Sequence, residues 1–403
     1  MNILFLTISS INCISDSGIY TDLMRKFRDE GHSVYIASPV ERRFHQSTNL
    51  IEKDGVRILS VKTLNLQKTN LIEKGIGTIL LEYQFLNAIK SNFSGVKFDL
   101  VVYSTPPITF TKIVKYVKRK FDAKSYLLLK DIFPQNAVDL GFIKKKSLIH
   151  RYFLKKESAL YNVSDFIGCM SEANVRYILN NNSNVDVRKI EVNPNSMDLS
   201  LNDIDSEMRD SIRNKYSIPK DVVAFIYGGN LGKPQGIDFL IEVLNANMSL
   251  NDRFFVIVGK GTELSKLQSW MNANQPHNVL LIDGLPKAEY DLLLQSCDVG
   301  LIFLDRRFTI PNFPSRILSY METKKPILAA TDLSTDLGEI LVDNGFGLWV
   351  ESGLLIAFNK HLEELINDFS LRSIMGNNGY NYMKNNYLVD FSYNKIIRRM
   401  ANV

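Results

Sequence analysis

The chain has 403 residues, 45% of them hydrophobic and 23% charged, which provides for two buried cores and excludes an intrinsically disordered chain. The net charge of +5 divides unevenly: residues 1–200 carry 28 Lys/Arg against 19 Asp/Glu, the remainder 20 against 24, so the two halves are expected to face different partners. Cys13, Cys169 and Cys297 form no CxxC pair, and the five histidines show no HxxxH spacing; a disulfide framework and a zinc cluster are not expected, and a reducing, cytoplasmic setting is.

The first elements follow a strand and helix rhythm. Ile3–Ile8 reads as a strand, too short for a signal segment or a membrane span. Gly18 opens a helix whose Ile19, Leu23 and Phe27 share a face; Gly31 ends it, and Val34–Ala37 is the next strand. Further apolar runs at Val56–Leu59, Leu100–Tyr103, Ser125–Leu129, Phe166–Met170 and Ile190–Val192 are separated by helical patterns. That alternation predicts an α/β, doubly wound parallel sheet with helices on both faces, occupying residues 1–198.

The polar stretch Asp198–Lys220 reads as a connection with a linking helix, after which the rhythm restarts. Strands are predicted at Val222–Tyr227, Phe254–Val258, Val279–Ile282, Val299–Phe303, Ile327–Ala329 and Gly347–Val350. Residues 199–389 thus form a second doubly wound, Rossmann-like domain. A last helix, 390–403, carries Phe391, Ile396, Ile397 and Met400 on one side and is expected to cross back to the first domain. Sheets of this kind bind ligands at the C-terminal ends of their strands, so the function is expected where two such ends face a cleft.

Chemistry-bearing segments fall at those strand ends. Gly228 Gly229 Asn230 Leu231 Gly232 Lys233 Pro234 Gln235 Gly236 breaks from a strand into glycines and then a helix, the pattern of a phosphate cradle, and equally of an ordinary α/β turn. Val258 Gly259 Lys260 Gly261 and Gly284 Leu285 Pro286 close the next two strands. Ile310 Pro311 Asn312 Phe313 Pro314 Ser315 Arg316 precedes a helix, where Ser315 can cap and Arg316 can neutralise an anion facing the free N–H groups.

This series, with Asp298 Val299 Gly300 Leu301 and the run Arg316 Ile317 Leu318 Ser319 Tyr320 Met321, resembles the retaining GT-B nucleotide-sugar glycosyltransferases of family 4. Ser104 Thr105 Pro106 Pro107, Lys130 Asp131 Ile132 Phe133 Pro134 and Pro194 Asn195 Ser196 Met197 Asp198 add to the likeness in the first half. The most similar branch is that of bacterial O-antigen and capsule enzymes related to N-acetylfucosamine transferases. The resemblance implies a UDP-sugar donor and no separate cofactor or metal. It places Gly18, Gly229, Asn230, Gly232, Gly259, Gly261, Gly284, Leu285, Asn312, Pro314, Ser315 and Ser319 around the donor. The chain departs from the family at several positions: Asn230 and Gln235 stand where an arginine and a lysine are usual, Pro311 and Ser319 where glutamates are, and Ser104 and Thr105 where a histidine is.

Charge builds on the leaving phosphate as the sugar is transferred, so Lys233 and Arg316 are the expected catalytic cations. Asp131 is the candidate to align or deprotonate an acceptor hydroxyl; it reads equally as a turn aspartate. Residues 112–156 hold 13 Lys/Arg and only Asp122, Asp131 and Asp139, interleaved with aromatic and aliphatic residues. This basic region is expected to meet an anionic inner-membrane surface, with a polyprenyl-diphosphate-linked glycan as acceptor, rather than nucleic acid. The resulting expectation is a peripheral, cytoplasmic-face glycosyltransferase of surface polysaccharide assembly. The alternatives are a nucleotide-sugar 2-epimerase and a non-catalytic nucleotide-sugar-binding subunit.

Overall fold

Continuous apolar runs make strands buried on both faces, and here they do so twice. A computed structural model of the chain describes residues 1–66, 69 and 71–401. It divides into one unit of Met1–Asp198 with Tyr387–Val403 and a second of Leu199–Asn386.

The first unit is built on eight strands: β1 (Asn2–Leu6), β2 (Ser33–Glu41), β3 (Asn49–Lys53), β4 (Val56–Thr63), β5 (Leu100–Ser104), β6 (Lys124–Leu129), β7 (Phe166–Cys169) and β8 (Ile190–Val192). Their order is β3-β4-β2-β1-β5-β6-β7-β8. All pairings are parallel except β3 with β4, which form an antiparallel hairpin at the edge. That strand corrects the all-parallel expectation. Leu50 and Ile51 are both exposed, so β3 lacks the apolar run that marks its neighbours. Its turn, Asp54 at φ 53° and Gly55 at φ 73°, is the two-residue Asp-Gly hairpin signal. The helix Val389–Ala401 packs on the helix Thr21–Asp29 through Phe27, Tyr393 and Ile396, with Lys26 paired to Asp390 at 2.6 Å. Phe391, expected on its apolar side, is 43% exposed.

The second unit has six strands: β9 (Val223–Gly228), β10 (Arg253–Val258), β11 (Val279–Ile282), β12 (Val299–Phe303), β13 (Ile327–Thr331) and β14 (Gly347–Glu351). They run in the order β11-β10-β9-β12-β13-β14, all parallel. Both units are therefore Rossmann-like α/β layers. The sequence Asp198–Lys220 is more than a connection. Its helix, Ser206–Lys215, sends Arg213 into the core of the second unit, where Nη2 meets Asp298 at 2.6 Å and Nη1 donates to the carbonyls of Pro219, Lys220 and Val222. A polar sequence thus supplies a fully buried anchor, because each guanidinium nitrogen is given an oxygen, Nε meeting the Ser296 carbonyl at 2.9 Å.

Candidate active site

In the second unit the ends of β9, β10 and β12 converge on one cluster. The first two glycine turns are laced together: Gly229 N donates to the Val258 carbonyl (2.9 Å), Leu231 N to that of Lys260 (2.8 Å) and Glu263 N to that of Leu231 (2.9 Å). The approach is so close that a Cβ at Gly259 would lie 1.8 Å from the Gly229 carbonyl oxygen, and one at Gly261 would lie 2.1 Å from that of Leu231. Gly259 and Gly261 are therefore glycines for backbone packing, which shapes the loop that Gly229 begins. Not all of the loop's N–H groups are open to a phosphate. Gly229 N and Leu231 N are already spoken for, and Gly232 N lies 3.2 Å from Gln235 Oε1.

Asn230 and Gln235, at positions where the resemblance implies cations, bond to each other at 2.9 Å, closing the loop across a short 3-10 turn at Lys233–Gln235. Asp305 N donates to the Pro234 carbonyl (3.0 Å), which brings the β12 loop against that turn. Burial would raise the Asp305 pKa, but the Arg307 side chain, the Arg307 backbone N–H and the nearby Lys233 charge hold it below the usual carboxylate value. Lys233 thus shares its field with a carboxylate as well as with any ligand.

Arg316, the first residue of the helix Arg316–Glu322, lies over the ring of Tyr227, 4.1 Å from its centroid. Its Nη2 packs on Gly229, where an added Cβ would come within 3.3 Å, and φ of 126° favours glycine as well. Tyr290 packs into the space left by Gly228, and the Tyr320 hydroxyl accepts from Gly228 N (3.3 Å). Burial works against the arginine's charge, yet Tyr227, Tyr320 and Tyr290 raise its pKa above the usual value. Its Nη1 is buried without a hydrogen-bond acceptor among the described residues. A buried donor on a full charge with no acceptor is costly, and an incoming anion is what would satisfy it.

The remaining candidates of the second unit surround this cluster in different ways. Gly284, at φ 72°, is covered by the Lys260 side chain, and Leu285 leads from β11 towards the helix Lys287–Ser296. The Asn312 carbonyl accepts from Thr335 Oγ1 at 2.8 Å, and Pro314 precedes Ser315. Ser315 does not cap the helix with its side chain: its backbone, at φ −64° and ψ −20°, is already helical, whereas a capping serine is extended. The Ser319 carbonyl accepts from Thr323 Oγ1 at 2.8 Å within the helix.

Gly18 and Asp131 belong to the first unit. Gly18 N donates to Asp22 Oδ1 (3.0 Å), a fully buried carboxylate whose other oxygen accepts from Asp198 N (2.9 Å). Asp131 follows β6, where Thr105 Oγ1 accepts from Lys130 N (2.9 Å) and Asp131 N (3.2 Å) and so ties the ends of β5 and β6. Burial raises the Asp131 carboxyl to about 6, although Asn136 Nδ2 donates to both of its oxygens at 2.9 Å. Beside it in sequence, burial lowers Lys130 to about 7, with its Nζ donating to the Asn193 carbonyl (3.1 Å). Lys130 was given no role of its own within the Lys130–Pro134 motif, and Tyr227 and Tyr290 were not picked out as site residues. The lysine adjoining Asp131 was a usable signal, whereas the tyrosines are brought to Arg316 only by the fold.

Residues 208–382 match the family described as glycosyl transferases group 1, a segment that lies within the second unit. The chain is 24% identical over 325 residues to a probable glycosyltransferase, WbjE, of Pseudomonas aeruginosa, covering 77% of this chain and 76% of that protein. Among solved structures, sucrose-phosphate synthase of Thermosynechococcus elongatus superposes with a TM-score of 0.77 at 14% identity, covering 100% of this chain and 99% of that one. HepE of Anabaena, in complex with UDP-glucose, gives 0.67 at 14% identity, with both chains covered in full. The fold is that of GT-B glycosyltransferases, and the group 1 match supports a glycosyltransferase.

Proposed function

We propose that the protein is a retaining, metal-independent glycosyltransferase that takes a sugar, in our reading an N-acetylated amino sugar, from a UDP-linked donor. The acceptor is a lipid-linked glycan of bacterial surface polysaccharide assembly at the cytoplasmic face of the membrane. The observation that carries the reading is Arg316, a half-buried arginine whose buried Nη1 has no hydrogen-bond acceptor among the described residues, set on the glycine loop after β9. The donor's diphosphate supplies the missing anion.

As the glycosidic oxygen departs with the β-phosphate, the sugar passes through an oxocarbenium-like state and negative charge grows on UDP. Arg316, held in place by Tyr227 and Gly229 before the donor arrives, stabilises that charge without reorganising, and Lys233 adds a second cation. Each such contact contributes about 3 kcal/mol to lowering the barrier. For the acceptor, Asp131 aligns the attacking hydroxyl, and the leaving phosphate is itself able to take the proton. That the Anabaena protein is solved with UDP-glucose supports the donor class.

The test is incubation with a panel of nucleotide sugars, with and without a lipid-linked acceptor. Transfer of the sugar to the acceptor supports the reading. Conversion of free donor without acceptor points instead to an epimerase, and donor binding with neither reaction to a non-catalytic subunit. Full donor affinity and turnover in both Lys233→Ala and Arg316→Ala would overturn the site assignment.

A further inference from the structure

The outward face of the helix Leu71–Asn92 is apolar where solvent should favour polar side chains. Ile76, Ile79, Leu80 and Tyr83, at the i, i+3, i+4, i+7 spacing of one stripe, are 40–48% exposed, while Leu81, Phe85 and Ile89 pack inward. The neighbouring helix Thr111–Phe121 turns Lys112, Lys115, Arg119 and Lys120 outward. The two are joined at the surface. Lys112 Nζ lies over the Tyr83 ring, 4.0 Å from its centroid, and hydrogen-bonds the Tyr83 hydroxyl. Lys90 and Lys120 approach the Tyr116 ring at 4.9 and 5.5 Å. The basic side chains around Tyr116 line an open cavity of about 400 Å³.

A third helix, Leu148–Val163, continues the pattern. Leu148 is 84% and Ile149 61% exposed, and Tyr152 lies beneath Lys156, whose Nζ also reaches Glu82 of the first helix at 3.5 Å. Exposed Lys144, Lys145 and Lys146 lead into it. Three adjacent helices thus present aliphatic side chains, tyrosines and lysines side by side.

Each component has a matching layer in a bilayer with anionic headgroups. Lysines near such a surface contribute about 1 kcal/mol apiece, tyrosines favour the headgroup level, and aliphatic side chains enter the acyl boundary. Nucleic acid would use the charges but leave Ile76, Ile79, Leu80, Leu148 and Ile149 in water. We infer that the face formed by the helices Leu71–Asn92, Thr111–Phe121 and Leu148–Val163 docks on an anionic lipid bilayer. The inference deepens the reading of a lipid-linked acceptor and rests on it for its purpose only.

The experiment is co-sedimentation of the full-length protein with vesicles of phosphatidylethanolamine and phosphatidylglycerol, against phosphatidylcholine alone, with single-stranded RNA as a competing ligand. Binding to the anionic vesicles is expected to exceed that to phosphatidylcholine by roughly tenfold or more and to weaken with salt. Lys115→Glu with Arg119→Glu should lower it by a similar factor, and Ile79→Ser with Leu80→Ser should remove the part that survives high salt. Thermal unfolding and UDP affinity, unchanged in these surface variants, would separate a docking defect from misfolding. Equal binding to both vesicles, no binding, no response to the charge reversal, or tighter binding to RNA would overturn the proposal. Loss of transfer in Arg316→Ala with vesicle binding intact, or the converse, tells the two readings apart.

Discussion

Arg316 lies over Tyr227, its guanidinium carbon 4.1 Å from the ring centroid, and the Tyr227 hydroxyl donates to the Asn230 carbonyl at 2.8 Å. One tyrosine therefore holds both the cation and the glycine loop beside it. The arginine is oriented before any ligand binds, which is the condition for stabilising charge that appears only in the transition state.

Replacing Arg316 by alanine should lower kcat/KM by about 100- to 1,000-fold and weaken UDP binding. Arg316→Lys should restore only part, because a point charge neither stacks on Tyr227 nor presents a planar fork to a diphosphate. Tyr227→Phe keeps the ring and should have the milder effect, while Tyr227→Leu should approach the Arg316→Lys variant. Steady-state kinetics and calorimetry with UDP check the ranking; equal activity in Tyr227→Leu and the unaltered protein would refute the stacking role.

Asp131 and Lys130 make opposite contributions to stability as pH changes. The folded carboxyl titrates near 6 against an ordinary 3.8. Across that window the native state holds the proton that the unfolded state has lost, so stability falls as pH rises from about 4 to 6. Lys130 titrates near 7 in place of 10.5; there the unfolded state binds the extra proton, and stability rises with pH from about 7 to 10. Asp131→Asn should melt higher than the unaltered protein at pH 7 and equal it near pH 3.5, with Asn136 Oδ1, now buried without a partner, free to accept after a side-chain flip. If Asp131 also serves the acceptor, the rising limb of kcat/KM near pH 6 should vanish in the same variant. Melting curves and a pH–rate profile measure both effects.

How far the sequence spoke for this structure depends on the range of the forces involved. The strand β10 was legible because Phe254–Val258 is a continuous apolar run that only a sheet buried on both faces accommodates. Strand β3 was not, since Leu50 and Ile51 remain exposed at the sheet edge, although Asp54 and Gly55 carried its turn signal. Arg316 could be picked out by its motif. The tyrosines that seat it could not, because Tyr227 looks like any strand residue and Tyr290 like any helix residue until the sheet order brings them together. Arg213 was not singled out for the same reason: its oxygens come from Pro219, Lys220, Val222 and, far along the chain, Ser296 and Asp298.

Gly261→Ala is expected to damage the donor loop without touching a ligand. Its Cβ would sit 2.1 Å from the Leu231 carbonyl oxygen, a backbone atom that cannot rotate away. Relief requires separating the loops after β9 and β10, at a cost of about 3 kcal/mol or more. Gly284→Ala meets the flexible Lys260 side chain instead, so its cost comes from the positive φ and should be nearer 1 kcal/mol. Chemical denaturation of the two variants, with UDP affinity of the folded fraction, tests the contrast. Equal losses would show that the loops yield more easily than their hydrogen bonds imply.

The buried pair Arg213 and Asp298 offers the sharpest test of the second unit's stability. Arg213 is fully buried and donates to four carbonyls besides Asp298, and Asp298 Oδ2 also accepts from Ala224 N at 2.8 Å. Arg213→Ala takes the buried cation from Asp298 and this donor from four carbonyls, so it should destabilise the unit by about 3–5 kcal/mol. Arg213→Lys should recover little, because one ammonium carries three donors and cannot span positions served by a planar guanidinium. Arg209, 2.8 Å from Asp298 Oδ1 but 35% exposed, makes the control: Arg209→Ala should cost about 1 kcal/mol or less. Urea denaturation followed by Trp270 and Trp349 fluorescence reports on the second unit, since both tryptophans lie within it. A large loss in Arg209→Ala with a small one in Arg213→Ala would reverse the assignment of which arginine anchors the core.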